Sequence, residues 1–182
     1  MRPLLVSVLL ICSAALASAT QLLPRGSHDF QLASSRAQVD SAITARGLDV
    51  ISRGPTYIAC SNPSPAVEFE QYDFAPTTTG DSRLWRVWIA YRVPYARQDF
   101  DSLKSQMEVD LGEPNETMEP LPNEPAGGVY KLTWADARTS VQLGARWPER
   151  PDPKTDRMLV VWTDRRLEKL VEAQRKQKQK SK

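Results

Sequence analysis

Few side chains here are equipped for covalent or metal chemistry. Beyond the N-terminal region the chain has one histidine, His28, and one cysteine, Cys60. There is no HExxH pattern, histidine cluster or cysteine pair, so zinc chemistry lacks its usual ligands. Phosphate-loop and dinucleotide glycine patterns are missing too, and Gly127-Gly128 reads as loop punctuation. A Cys60–His28 pair would be the one thiol–base arrangement, but His28 falls in a leader and Cys60 in a strand. Cys60 therefore reads as a buried small hydrophobe, with an intermolecular disulfide as the alternative. No cofactor is called for.

Carboxylates are plentiful. Glu68, Glu70 and Asp73 surround Phe69 and Tyr72, and an acid–base pair would need two such groups held several ångströms apart in a cleft. On a strand they read as solvated outer-face residues. The acidic sector from Asp99 to Glu124 reads as a solubilising surface, because the alternating calcium loop is missing. Asn115-Glu116-Thr117 fits a glycosylation acceptor.

Aromatic and basic residues carry the clearer binding signals. Five tryptophans (85, 88, 134, 147 and 162) fall on strand patterns. Trp88 sits near Arg86 and Arg92, and Trp147 beside Arg146, which marks these five residues as a candidate binding surface. The second signal is the C-terminus. Arg165, Arg166, Lys169, Arg175, Lys176, Lys178, Lys180 and Lys182 face only Glu168 and Glu172, a net charge of +6 within a chain of net +2. An acidic body thus precedes a basic helix or tail over 165–182, a candidate contact for an anionic partner. Leu167, Leu170 and Val171 fall on one side of its first turns.

The elements that must position these residues repeat a theme. A helix capped at Ser34 or Ser35 carries Val39, Ala42 and Ile43 and stops at Gly47; extended segments follow over Leu48–Ile51, Thr56–Cys60 and Val67–Tyr72. The clearest strand puts Trp85, Val87, Ile89, Tyr91 and Val93 on one face, and Leu84, Arg86, Trp88, Ala90 and Arg92 on the other. A second helix starts near Asp99, carries Phe100, Leu103, Met107 and Leu111, and ends at Gly112. Residues 113–128 read as a loop. Tyr130–Trp134 and Thr139–Trp147 form a hairpin, and Met158–Thr163 is a last apolar strand. The class is therefore α+β: an antiparallel sheet with packed helices, either as two tandem helix-plus-strands units over 29–93 and 94–164 or as a single irregular domain with a chance echo of the pattern.

Leu111-Gly112-Glu113-Pro114 closing a helix, followed by Tyr130–Trp134 and Thr139–Leu143, resembles the small exported helix-plus-sheet scaffolds of the outer-membrane assembly lipoprotein BamE and the beta-lactamase inhibitor protein. The likeness covers about 50 residues and implies a binding scaffold. It transfers no functional residue. No cysteine for lipid attachment stands directly after the signal region, and Cys60, the one cysteine beyond it, has no second cysteine with which to form the inhibitor's internal disulfides.

The N-terminus supplies an address. Arg2, the apolar run Leu4–Leu16 and the small residues Ala17-Ser18-Ala19 predict a cleaved signal peptide over 1–19, with 20–28 as a flexible leader. The run is too short to span a bilayer comfortably. Export disfavours nucleic acid as the partner and favours an envelope protein or anionic surface. The expected function is a non-enzymatic binding or structural accessory protein of the cell envelope, periplasmic or secreted. The alternatives are a carboxylate-dependent hydrolase of envelope polymers and a small carrier with an apolar cavity.

Overall fold

Ser35 opens the first helix, α1 (Arg36–Ala45). Its hydroxyl accepts the Gln38 amide hydrogen while the Gln38 side chain accepts that of Ser35, satisfying two N-terminal donors locally. Val39 and Ile43 are its buried face, and Gly47 at φ 64° ends it in the left-handed region that glycine adopts freely. In α2 (Arg97–Leu111) the Asp99 carboxylate accepts the Ala96 N–H at 2.7 Å, and Phe100, Met107 and Leu111 face the core. The Trp134 indole N–H donates to the Gly112 carbonyl at 2.7 Å, tying the end of α2 to the sheet. The computed structural model describes residues 22–27, 29–77, 80–92, 96–119, 129–146 and 157–180.

A two-stranded ribbon, β1 (Gly26–Ser27) and β2 (Phe30–Gln31), precedes α1. After α1 come β3 (Asp49–Arg53), β4 (Tyr57–Ser61), β5 (Val67–Pro76) and β6 (Ser82–Tyr91). After α2 come β7 (Glu116–Met118), β8 (Val129–Ala135), β9 (Thr139–Arg146) and β10 (Met158–Asp164), then α3 (Arg165–Lys180). All eight strands from β3 on form one antiparallel sheet, ordered β3-β4-β5-β6-β10-β9-β8-β7. The order reads alike from both edges: each helix is followed by a four-strand meander, and the last strands of the two meanders, β6 and β10, pair at the centre. Buried side chains from α1, α2 and both meanders merge into one cluster, so the two units share a single core on one face of the sheet.

Three expectations change. Residues 113–128 hold a short edge strand, β7, because Glu116, Thr117 and Met118 pair with Thr133, Leu132 and Lys131. Its three residues are exposed and mostly polar, so no alternation betrays it. The leader is not free from Leu23 onward. Leu23 donates its amide to Asp136 at 2.8 Å, Arg25 is ion-paired with the buried Asp164, and the Leu32 amide bonds the Arg25 carbonyl at 2.7 Å. Finally, strict alternation along β6 fails at Trp85. Arg86 pairs with Asp73 and Leu84 with Phe74, which leaves Trp85 as the extra residue of a bulge. Leu84 consequently joins the core face, while Trp85 turns away from the Val87–Ile89 row. A second bulge at Glu68 explains why the Val67–Tyr72 pattern slips. The signal region, His28, Val93, Trp147 and Lys182 lie outside the described residues.

Candidate binding face

β5 presents alternate side chains to opposite faces of the sheet. Tyr72 and Glu70 go to the core; Gln71 and Asp73 go to the other side, opposite Trp88 and Arg86 of β6. There the Asp73 carboxylate, 7 % exposed, gathers three donors. Gln71 Nε2 gives a bond of 2.7 Å to Oδ1, while Arg86 Nε and Trp88 Nε1 reach Oδ2 at 2.8 and 2.9 Å. The Arg86 guanidinium is stacked between two indoles, 4.2 Å from the Trp85 ring and 4.5 Å from that of Trp88. Each such contact contributes about 0.5–1 kcal/mol at an exposed site and more when desolvated. The bulge is what permits it, by bringing Trp85 to the same side as Trp88.

This face is only partly covered. α3 leaves β10 directly. The Asp164 carboxylate accepts the Arg166 and Leu167 amides at 3.0 and 3.1 Å and so caps the helix start. The helix lies against β5, β6 and β10. Between α3 and β5–β6 is a cavity of about 400 Å³ bordered by Asp73, Trp85, Arg86, Val171, Gln174 and Arg175. On the other side of Arg86, a groove of about 350 Å³ runs over Trp88, Thr133, Ser140, Gln142, Val161 and Glu168. Trp88 is half-buried and forms the wall shared with Arg86.

The opposite, helix-covered face holds a second carboxylate. Glu70 is 2 % exposed, which corrects its reading as a solvated residue. Arg46 grips it with both terminal nitrogens at 2.7 Å, the Asn62 amide donates at 2.5 Å, and the Tyr72 hydroxyl donates to the same group. Burial alone would raise the Glu70 carboxyl; the Arg46 guanidinium, with Tyr72 and Asn62, holds it below the ordinary value. Burial and the neighbouring carboxylate raise the Tyr72 phenol. Cys60 lies beside this cluster, fully buried, its thiol raised by burial and by Glu70. Arg46 caps α1, so the network locks the helix end to the sheet. Glu68 is bridged to Arg157 at 3.5 Å.

Of the residues singled out from sequence, the structure unites Arg86 and Trp88. Arg92 lies farther along the chain, reaching the Asn62 carbonyl at 3.4 Å, and Arg146 ends β9 at an exposed position. The basic residues of the C-terminus continue in one helix to Lys180, and only Arg175 and Lys178 of them border the α3 cavity. Arg165 instead bonds the Asp136 carbonyl at 2.5 Å. Asp73, Gln71 and Trp85 were missed as members of this cluster. The Gln71-x-Asp73 spacing on a strand was the available signal for the first two, whereas the bulge that recruits Trp85 depends on the pairing of β5 with β6.

Among the described residues, no group of three or more His, Cys, Asp or Glu side chains is placed to hold a metal ion. No helix among them is long and apolar enough to cross a membrane. No protein-family model and no curated protein matches this chain.

Proposed function

We propose that this chain is an exported binding or structural accessory protein of the cell envelope, and that it recognises its partner with the sheet face opposite α1 and α2. One observation carries the reading: the Trp85–Arg86–Trp88 stack, fixed by Asp73, holds Arg86 and Trp88 on the wall of an open groove bordered by the first turn of α3. Tryptophan and arginine dominate the energetics of protein interfaces. An anchor already held in place loses little side-chain freedom on binding. Export rests on Arg2, the Leu4–Leu16 run and Ala17-Ser18-Ala19. The basic face of α3 adds a salt-sensitive attraction to anionic surfaces.

A hydrolase reading asks for a carboxyl poised to give up and take back a proton. Glu70 is instead held as an anion by Arg46, with Tyr72 and Asn62 around it. The carrier reading asks for an apolar cavity walled by tryptophan. Trp134 and Trp162 are packed into the core, and the cavity at Trp85 is bordered by charged groups.

A photo-reactive residue at Gln142 or Thr133 tests the proposal inside the host. Both positions border the groove, and one at Asp110 on the exposed side of α2 serves as control. Cross-linking to a discrete envelope protein from the groove positions alone is expected. Equal labelling from all three, or none, contradicts the reading.

A further inference from the structure

We propose that the cavity between α3 and β5–β6 is an anion site that takes a phosphate group. This site does not depend on which protein the neighbouring groove recognises. The cavity, about 400 Å³, is large enough for a small molecule or a headgroup. Three cations border it: Arg86 from the sheet, with Arg175 and Lys178 one turn apart on α3. Asp73 is the one carboxylate among the described residues on the same wall, and its two oxygens are occupied by Gln71, Arg86 and Trp88. Among the described residues lining the cavity, cations outnumber the carboxylate, whose oxygens are already engaged.

The arrangement at Arg86 adds geometry to charge. Its Nε is committed to Asp73, and its plane is set by indoles at 4.2 and 4.5 Å. Its two terminal nitrogens make no hydrogen bond among the described residues. A guanidinium held in a fixed plane with its outer donors unspent matches the oxygens of a phosphate, which accept paired N–H donors. Arg175 has no acidic partner among the described residues and stands across the cavity on α3, where it closes on the same ligand. Gln71 and Gln174, whose Nε2 atoms already donate to Asp73 and to the Pro76 carbonyl, each retain a second amide hydrogen as a neutral donor.

The test uses the chain from Thr20 to Lys182 at low salt, with the tryptophan indole N–H resonances as reporters. Inorganic phosphate is titrated in one arm; vesicles of phosphatidic acid in phosphatidylcholine, against phosphatidylcholine alone, form the other. Two double variants remove equal charge from the same helix: Arg175→Gln with Lys178→Gln at the cavity, and Lys176→Gln with Lys180→Gln away from it. Either phosphate source should move the Trp85 resonance. The cavity pair should weaken that response by about fivefold or more, as loss of charge-assisted bonds implies, and the distal pair by less than about twofold. A response to free phosphate identifies a soluble ligand, and a response only to phosphatidic acid identifies a lipid headgroup. Equal weakening by both pairs would reduce the effect to general attraction by a basic helix. That result, or an unmoved Trp85 resonance in both arms, overturns the proposal.

Discussion

Two carboxylates three residues apart on β5, Glu70 and Asp73, meet opposite fates on opposite faces of one sheet. Both are almost fully buried and both collect several donors. Around Glu70 the donors are Arg46, Asn62 and Tyr72, which enclose it at the end of α1. Around Asp73 the donors are themselves surface groups. Gln71, Arg86 and Trp88 each present a further edge or face to a cavity or groove. The same chemistry thus builds a structural lock on one side and an organised surface on the other. What separates them is what lies above: α1 with its core residues in one case, and a single helix set to one side in the other.

The largest expected effect breaks the lock. Arg46→Met leaves Glu70 buried without its cation and should cost about 3–5 kcal/mol of stability, read from urea unfolding. A change below about 1 kcal/mol would mean that the pair is solvated and that the two faces do not differ in the way described.

Acid sharpens the same contrast. The Glu70 carboxyl lies below its ordinary value of 4.5 in the folded chain. Its contribution to stability is therefore fully present above that value and is lost as pH falls through the lower, folded-state value. Thermal melts from pH 6 downward should show an acid-dependent loss, and Glu70→Gln should flatten that limb. An unchanged acid limb in the variant would contradict the assignment.

On the other face the effect on folding is smaller. Asp73→Asn replaces a charged acceptor by a neutral one and should cost about 1–2 kcal/mol, while loosening Arg86 and Trp88. Tryptophan anisotropy decay should report faster local motion. If stability falls as far as in Arg46→Met, Asp73 belongs to the structural class. Smallest of all is Asp101→Asn, which removes an exposed ion pair with Arg97 one turn away on α2. It should shift stability by no more than about 0.5 kcal/mol in the same unfolding experiment.

Much of this architecture was legible in the chain, for physical reasons that also mark the limits. A serine cap at 34 or 35, and the glycines at 47 and 112, signal helix ends through local chemistry, and the structure sets the cap at Ser35 and ends α1 and α2 at those glycines. The apolar alternation of Thr139–Ala145 marks a strand without ambiguity. Strand β7 was illegible because a short, exposed edge strand needs no apolar period. The role of Glu70 was hidden because its cation comes from 24 residues away, at the end of α1. Trp88 and Arg86 could be grouped from spacing alone, since both follow the period of two. Trp85 could not, because its turn to the same side follows from a bulge that only the pairing with β5 creates.

Recognition through the proposed Trp88 face is tested by quantitative capture from host envelopes with tagged chain and its Trp88→Ala variant. The variant should remain folded, since Trp88 lies outside the core cluster. A discrete partner is expected, with a yield at least about tenfold lower in the variant, the loss of one interface anchor. The same partner recovered at equal yield by both chains would place recognition elsewhere and contradict the account.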